Sequence, residues 1–116
     1  MVNLEEDSTN RVFKALSDST RRKILQHISR EDATVTEIAR PFDVSGPAIS
    51  KHLKILEEAR LITRFKNGTT RRFKLNTEPL SEAQLVIQRL TSFWMTRLAH
   101  LDTFLENETK SSKNNG

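Results

Sequence analysis

The stretch Val44-Ser45-Gly46-Pro47-Ala48-Ile49-Ser50-Lys51-His52-Leu53-Lys54-Ile55-Leu56 decides how the rest of the chain is read. Ser45 is an N-cap residue, and Gly46-Pro47 stand in the first helical turn, where the proline's missing N–H would have had no partner anyway. On a 3.6-residue period Ile49, Leu53 and Leu56 fall within about 40° of one another, which predicts a buried stripe. Pro47, Lys51, Lys54 and Glu58 fall on the opposite side, with Ser50 and Ala48 on the two flanks and His52 near the edge of the stripe. A helix of this kind is apolar toward a core, slim at its N-terminal end and cationic outward.

After Arg60 the period changes from 3.6 to 2. Leu61-Ile62-Thr63-Arg64-Phe65-Lys66 and Thr70-Arg71-Arg72-Phe73-Lys74-Leu75 flank Asn67-Gly68, a pair that favours the positive φ of a tight hairpin turn. Before the central helix, Val12, Phe13 and Leu16 give a short first helix over residues 9–16. Asp18 caps a second helix, with Arg21-Arg22-Lys23 expected on its exposed turn and Ile24, Leu25 and Ile28 inward. Beyond the polar break Ser29-Arg30-Glu31-Asp32, Val35-Thr36 opens a third helix with Ile38, Ala39 and Phe42 inward, kept short or kinked by Pro41. A last helix is expected from Leu80 to about Leu105. Its stripe is Ile87, Leu90, Trp94, Leu98, Leu101 and Leu105, widened by Val86, Phe93 and Phe104. Residues 1–8 read as a flexible segment, 9–105 as one domain, and 106–116 as a disordered tail.

This order predicts a mainly α fold with a small β-hairpin wing, the winged helix-turn-helix plan. Charge placement agrees. Residues 1–44 carry 7 basic and 8 acidic side chains, and 77–116 carry 4 and 5, whereas 45–76 carry 8 and 2. The whole surplus of the +4 chain therefore lies on the central helix and hairpin, as a nucleic-acid-binding surface requires. Ser45, Gly46, Pro47 and Ala48 are slim enough to approach base edges, with Ser50, Lys51, His52 and Lys54 beside them. Lys66, Asn67, Thr69, Thr70, Arg71 and Arg72 are expected to touch backbone or minor groove from the wing. The competing reading is a winged-helix module that binds protein and not DNA.

Several classes are excluded. No apolar run exceeds four residues, so no membrane span is expected, and the opening Met1-Val2-Asn3-Leu4-Glu5-Glu6-Asp7 has no secretory pattern, which points to the cytoplasm. With no cysteine among the 116 residues, disulfides and thiolate metal sites are ruled out. Three glycines at unrelated spacings give no phosphate loop, and no acid pair or nucleophile elbow marks an enzyme. No cofactor is implied. His27, His52 and His100 stand apart, and His100, Asp102 and Glu106 are the one set that suggests a metal shared across a dimer, a reading set below metal independence.

The residues Phe13 through Leu25, Thr36-Glu37-Ile38-Ala39-Arg40-Pro41-Phe42 and Val44 through Leu56 resemble the ArsR/SmtB-type winged-helix transcriptional repressors of bacteria. The Ser-x-x-x-x-Ser-x-His-Leu pattern and the Thr20-Arg21-Arg22 element carry the resemblance, which spans roughly residues 10–105. Pro41 and Phe93-Trp94 look like the metal-independent, SdpR-like branch. The resemblance implies a two-fold homodimer through the first and last helices, with Val12, Phe13, Trp94, Leu98, Leu101 and Leu105 at the interface. Metal-sensing relatives carry two cysteines on the third helix, which this chain lacks. The family often has Pro where Ser19 stands and Gly where Arg60 stands. Neither operator nor inducer is legible.

Overall fold

The computed structural model describes residues 4–28 and 32–114. Along them run α1 (Leu4–Leu16), α2 (Ser19–Ile28), β1 (Ala33–Thr34), α3 (Val35–Ala39), α4 (Gly46–Glu58), β2 (Ile62–Asn67), β3 (Thr70–Leu75) and α5 (Glu78–Asn114). Two units result, one ending at Ala83 and the other beginning at Gln84, so the division falls inside α5. The first unit is mainly helical with a three-stranded antiparallel sheet in the order β1-β3-β2.

Every element of the first unit sends apolar residues to one core. Val12 and Ala15 come from α1, Ile24, Leu25 and Ile28 from α2, Ile38 from α3, and Ile49, Leu53 and Leu56 from α4. Leu61, Ile62 and Phe73 close it from the wing, and Ala83 from the start of α5. Val12 is fully buried here, which corrects its assignment to a dimer interface: the side chain is core.

Helix ends are held by side chains. Asp18 caps α2 by accepting from the Arg21 backbone N–H at 3.1 Å, as the sequence predicts. The orphan carbonyls at the end of α1 are met from α2. Arg21 donates to Lys14 O at 2.9 Å and Ala15 O at 2.8 Å, and Arg22 donates to Leu16 O at 2.7 Å. Arg21 is consequently 9% exposed, not on an outer turn as the sequence reading placed it. Thr34 caps α3, accepting from Glu37 N at 3.2 Å while its hydroxyl donates to Glu37 Oε1 at 3.1 Å. Two residues past Ala39, Pro41 bears out the expected short helix.

At the other end of α4, Leu61 N–H donates to Leu56 O at 3.0 Å and Arg60 N–H to Glu57 O at 2.9 Å. This is the Schellman arrangement, and it sets Arg60 at φ 62°, the left-handed conformation that glycine occupies without a Cβ penalty. The turn into the wing is therefore made as if a glycine were present. Between β2 and β3 the loop is Gly68-Thr69, one residue later than the Asn67-Gly68 centre read from sequence, because Asn67 pairs with Thr70. Gly68 alone of the two has positive φ, 68°, the type II′ pattern.

Three stretches differ from the sequence reading. Residues 4–8, expected as a segment outside the first helix, are part of α1, and residues 1–3 lie outside the described residues. β1 was not anticipated; it pairs Ala33 with Phe73 and Thr34 with Arg72, while residues 29–31 of the expected polar break lie outside the described residues. α5 continues through Asn114, past the expected stop at Leu105, since neither Gly nor Pro interrupts 80–114. Residues 115–116 of the expected tail also lie outside the description. In the second unit α5 has large apolar side chains from Leu85 to Leu105 that are each about half exposed.

Replacing Arg60 with Gly relieves the left-handed strain and is expected to stabilise the fold by about 1 kcal/mol. Thermal unfolding should show the midpoint rising by about 4–8 °C; a lower midpoint would show that the arginine side chain contributes more than its backbone costs.

Candidate nucleic-acid interface

The N-terminal half of α4 faces solvent as its period requires. Ser45 Oγ accepts from Ala48 N at 3.2 Å, which fixes where the helix begins. Gly46, Pro47, Ser50, Lys51 and Lys54 are exposed and Ala48 is half-buried. A Cβ added at Gly46 would meet nothing within 4 Å, so the approach to this turn is open. Behind it Ile49 and Leu53 are buried and anchor the helix. With Pro47 lacking an N–H and the Ala48 N–H taken by Ser45, the Gly46 N–H and the positive end of the helix dipole are what this turn offers to a phosphate.

The wing supplies the second part. In the β2–β3 register Lys66 lies opposite Arg71 and Asn67 opposite Thr70, which brings both cations to one face near the tip. Lys66, Asn67, Thr69, Thr70 and Arg71 are all exposed. A shallow open groove lined by Ser50, Lys54, Glu57, Glu58 and Arg64 joins the outer side of α4 to β2.

Not every cation of the basic segment is available. Arg64 donates to Glu57 Oε1 at 2.8 Å and lies 5.4 Å from the centre of the Phe73 ring. Arg72, placed with Arg71 among the DNA contacts by sequence, is half-buried: it donates to Asp32 O at 2.8 Å and reaches Glu37 Oε1 at 3.5 Å. Its strand position opposite Phe65 turns it to the other face from Arg71, toward α3. Among the described residues Lys51, Lys54, Lys66 and Arg71 enter no ion pair. The same is true of Arg60, which holds the turn after α4, and of Lys74, which lies 5.9 Å from the centre of the Phe65 ring.

His52 also differs from a simple outward contact. Its side chain is 21% exposed and its Nδ1 lies 3.2 Å from Arg21 Nη1 and 4.0 Å from Asp18 Oδ2. The Arg21 backbone N–H holds the Asp18 carboxyl below its usual range; burial opposes this, and the His52 and Arg21 charges add to it. No sequence signal pointed to the Arg21–His52 pairing, since the two stand on different helices.

Of the proposed interface residues, Phe13 is half-buried against the core, whereas Trp94, Leu98, Leu101 and Leu105 are 51–60% exposed on α5. No three His, Cys, Asp or Glu side chains converge among the described residues, His100, Asp102 and Glu106 included. No helix among them is long and apolar enough to cross a membrane.

A family model described as a helix-turn-helix domain matches residues 16–64. The transcriptional repressor SdpR of Bacillus subtilis is 45% identical over 74 residues, 64% of this chain and 82% of that protein. The HTH-type transcriptional regulator Rv2034 of Mycobacterium tuberculosis is 35% identical over 101 residues, 87% of this chain and 92% of that protein. Among solved structures, an ArsR-like transcriptional regulator from Rhodococcus sp. RHA1 superposes with a TM-score of 0.75 at 31% identity, covering 85% of this chain and 93% of its own.

The two wing arginines should separate in a stability measurement. Arg72→Ala removes the ties to Asp32 and Glu37 and is expected to destabilise the first unit by about 1 kcal/mol, discounted for partial exposure. Arg71→Ala should leave the unfolding midpoint unchanged. Chemical denaturation of both variants checks this, and equal midpoints would refute the structural role of Arg72.

Proposed function

The chain belongs to the ArsR/SmtB-type family of helix-turn-helix transcriptional regulators, and from that membership we propose that it is a repressor that binds an inverted-repeat operator as a homodimer. One observation carries the DNA-reading half of this proposal. The exposed start of α4 combines small residues with Ser50, Lys51 and Lys54, while its opposite stripe is locked in the core. Such a helix end fits a major groove about 12 Å wide. Ser50, Lys51 and Lys54 reach base edges or phosphates, and Lys66 and Arg71 contact backbone from the wing. Arg72 acts through the wing it braces, and His52 through the helix it anchors.

The homodimer rests on the second unit. Ten large apolar side chains from Leu85 to Leu105 are each 51–61% exposed, an apolar surface larger than monomeric proteins usually leave to water. A two-fold axis through α5 doubles the recognition helix, so that two half-sites are read about one helical turn apart. Trp94, Leu98, Leu101 and Leu105 form the proposed seam, and Val12 is excluded by its burial.

Lys51→Ala is expected to weaken specific binding by about 1–3 kcal/mol if the lysine reads a base edge. Arg71→Ala should weaken all sequences alike and flatten the salt dependence. Fluorescence anisotropy across a salt series checks both, and a Lys51→Ala/Lys54→Ala double variant with normal affinity would refute the recognition-helix assignment. In sedimentation the wild type should be a dimer at micromolar concentration. Leu98→Glu should convert it to a folded monomer with much reduced operator affinity; a wild-type monomer that binds a palindrome tightly would overturn the dimer.

A further inference from the structure

The buried contact between α2 and α4 has a chemistry that the outward-facing residues leave unexplained. Arg21 donates through Nε and Nη2 to the carbonyls of Ala15 and Lys14, and its Nη1 meets His52 Nδ1 at 3.2 Å. One cation thus joins the last turn of α1 to the middle of α4. Arginine can only donate, so Nδ1 must turn its lone pair toward Arg21, and the proton of the neutral ring sits on Nε2.

That contact does not survive protonation of the imidazole. An imidazolium carries N–H on both nitrogens, so Nδ1 would aim a proton at a guanidinium. The hydrogen bond becomes a like-charge contact, and the near acceptor is Asp18 Oδ2, 4.0 Å away and already holding the Arg21 backbone N–H. On α4 itself the residues one turn from His52 are Ala48, Ile49, Ile55 and Leu56, all uncharged. α1 contributes the backbone carbonyls of Lys14 and Ala15, both held by Arg21. The charged groups facing His52 are therefore Arg21 and Asp18, from α2 and its cap.

We propose that Arg21 and His52 are positioning residues for α4, and that protonating His52 loosens its seat so that sequence-specific DNA binding weakens on acidification. The proposal rests on α4 being the helix that reads DNA. The His52 side chain is 21% exposed, open enough to exchange protons with water. The sign of the effect is diagnostic. A histidine that touched phosphate would gain a favourable charge on protonation, and affinity would rise as the pH falls.

The test uses the full chain and a duplex that it selects from random-sequence DNA, with an unselected duplex of equal length as reference at constant ionic strength. Between about pH 7.5 and about pH 5.5 the preference of the wild type for the selected duplex should fall about three- to tenfold, the scale of one net hydrogen bond. His52→Asn keeps an acceptor in place of Nδ1 that does not titrate, and should hold the higher-pH preference across the range. Arg21→Lys loses the planar fork that serves three acceptors, and should show a weaker preference with no pH response. Lys51→Ala should bind more weakly at every pH and keep the wild-type pH response. A wild-type preference that is flat or rises on acidification, or that changes equally in His52→Asn, overturns the coupling while a normal Lys51→Ala effect leaves α4 as the reading helix. A Lys51→Ala variant without effect overturns both. Nitrogen-15 spectra of the wild-type ring give an independent check at about pH 7.5: an unprotonated Nδ1 is expected, and an Nδ1–H tautomer refutes the proposal.

Discussion

Burial of Ile49, Leu53 and Leu56 is the constraint on which the rest of the first unit depends. These three side chains fix the rotation of α4 about its own axis, and that rotation decides which residues meet solvent. Turning the helix by one residue, about 100°, would drive Ser50 and Lys54 toward the core and bring leucines to the surface. Ser45 at one end and the left-handed Arg60 at the other then set where the helix starts and stops. With phase and length fixed, the face presented outward follows without any further interaction.

Much of this was legible in the sequence because it is local. The Ser45 and Asp18 caps, the α4 stripe and the hairpin follow from residue type and spacing over a few positions, and each is found. What escaped is what distant segments decide together. Ala33-Thr34 is too short for any period to show, and becomes a strand only because Phe73 and Arg72 lie opposite. Arg21 is buried against the rule that arginines face water, since acceptors from two other helices converge on it. Val12 carries no mark that distinguishes core from interface, because both bury it equally well. The apolar stripe of α5 was legible from its spacing, and it is half exposed in the single chain.

The arginines show how net charge overstates a binding surface. Of the cations in 45–76, Arg64 is committed to Glu57, and Arg72 to Asp32 and Glu37. Outside that segment Arg21 and Arg22 meet the carbonyls that end α1. Each of these guanidiniums ties elements together, and Arg21 and Arg72 do so through more than one nitrogen, a use to which the single ammonium of lysine is less suited. The cations left without an internal role on α4 and near the wing tip are mainly lysines, Lys51, Lys54 and Lys66, joined by Arg71. Framework ties thus fall to arginine, while the exposed cations of α4 and the wing tip are mostly lysine.

Among the described residues the sheet order β1-β3-β2 leaves the outer edge of β2 without a neighbouring strand, and β1 covers only a short part of β3. An unpaired edge is a template onto which another extended chain can add, the first step of ordered aggregation. β2 reads Ile62-Thr63-Arg64-Phe65-Lys66-Asn67, so an incoming copy in register would set arginine near arginine and lysine near lysine. Self-association through this edge is repelled electrostatically, while a polyanion alongside it is attracted. Lys66, exposed near the tip of the wing, thus helps to protect the free protein from its own sheet, and a substitution that neutralises it puts colloidal solubility at risk.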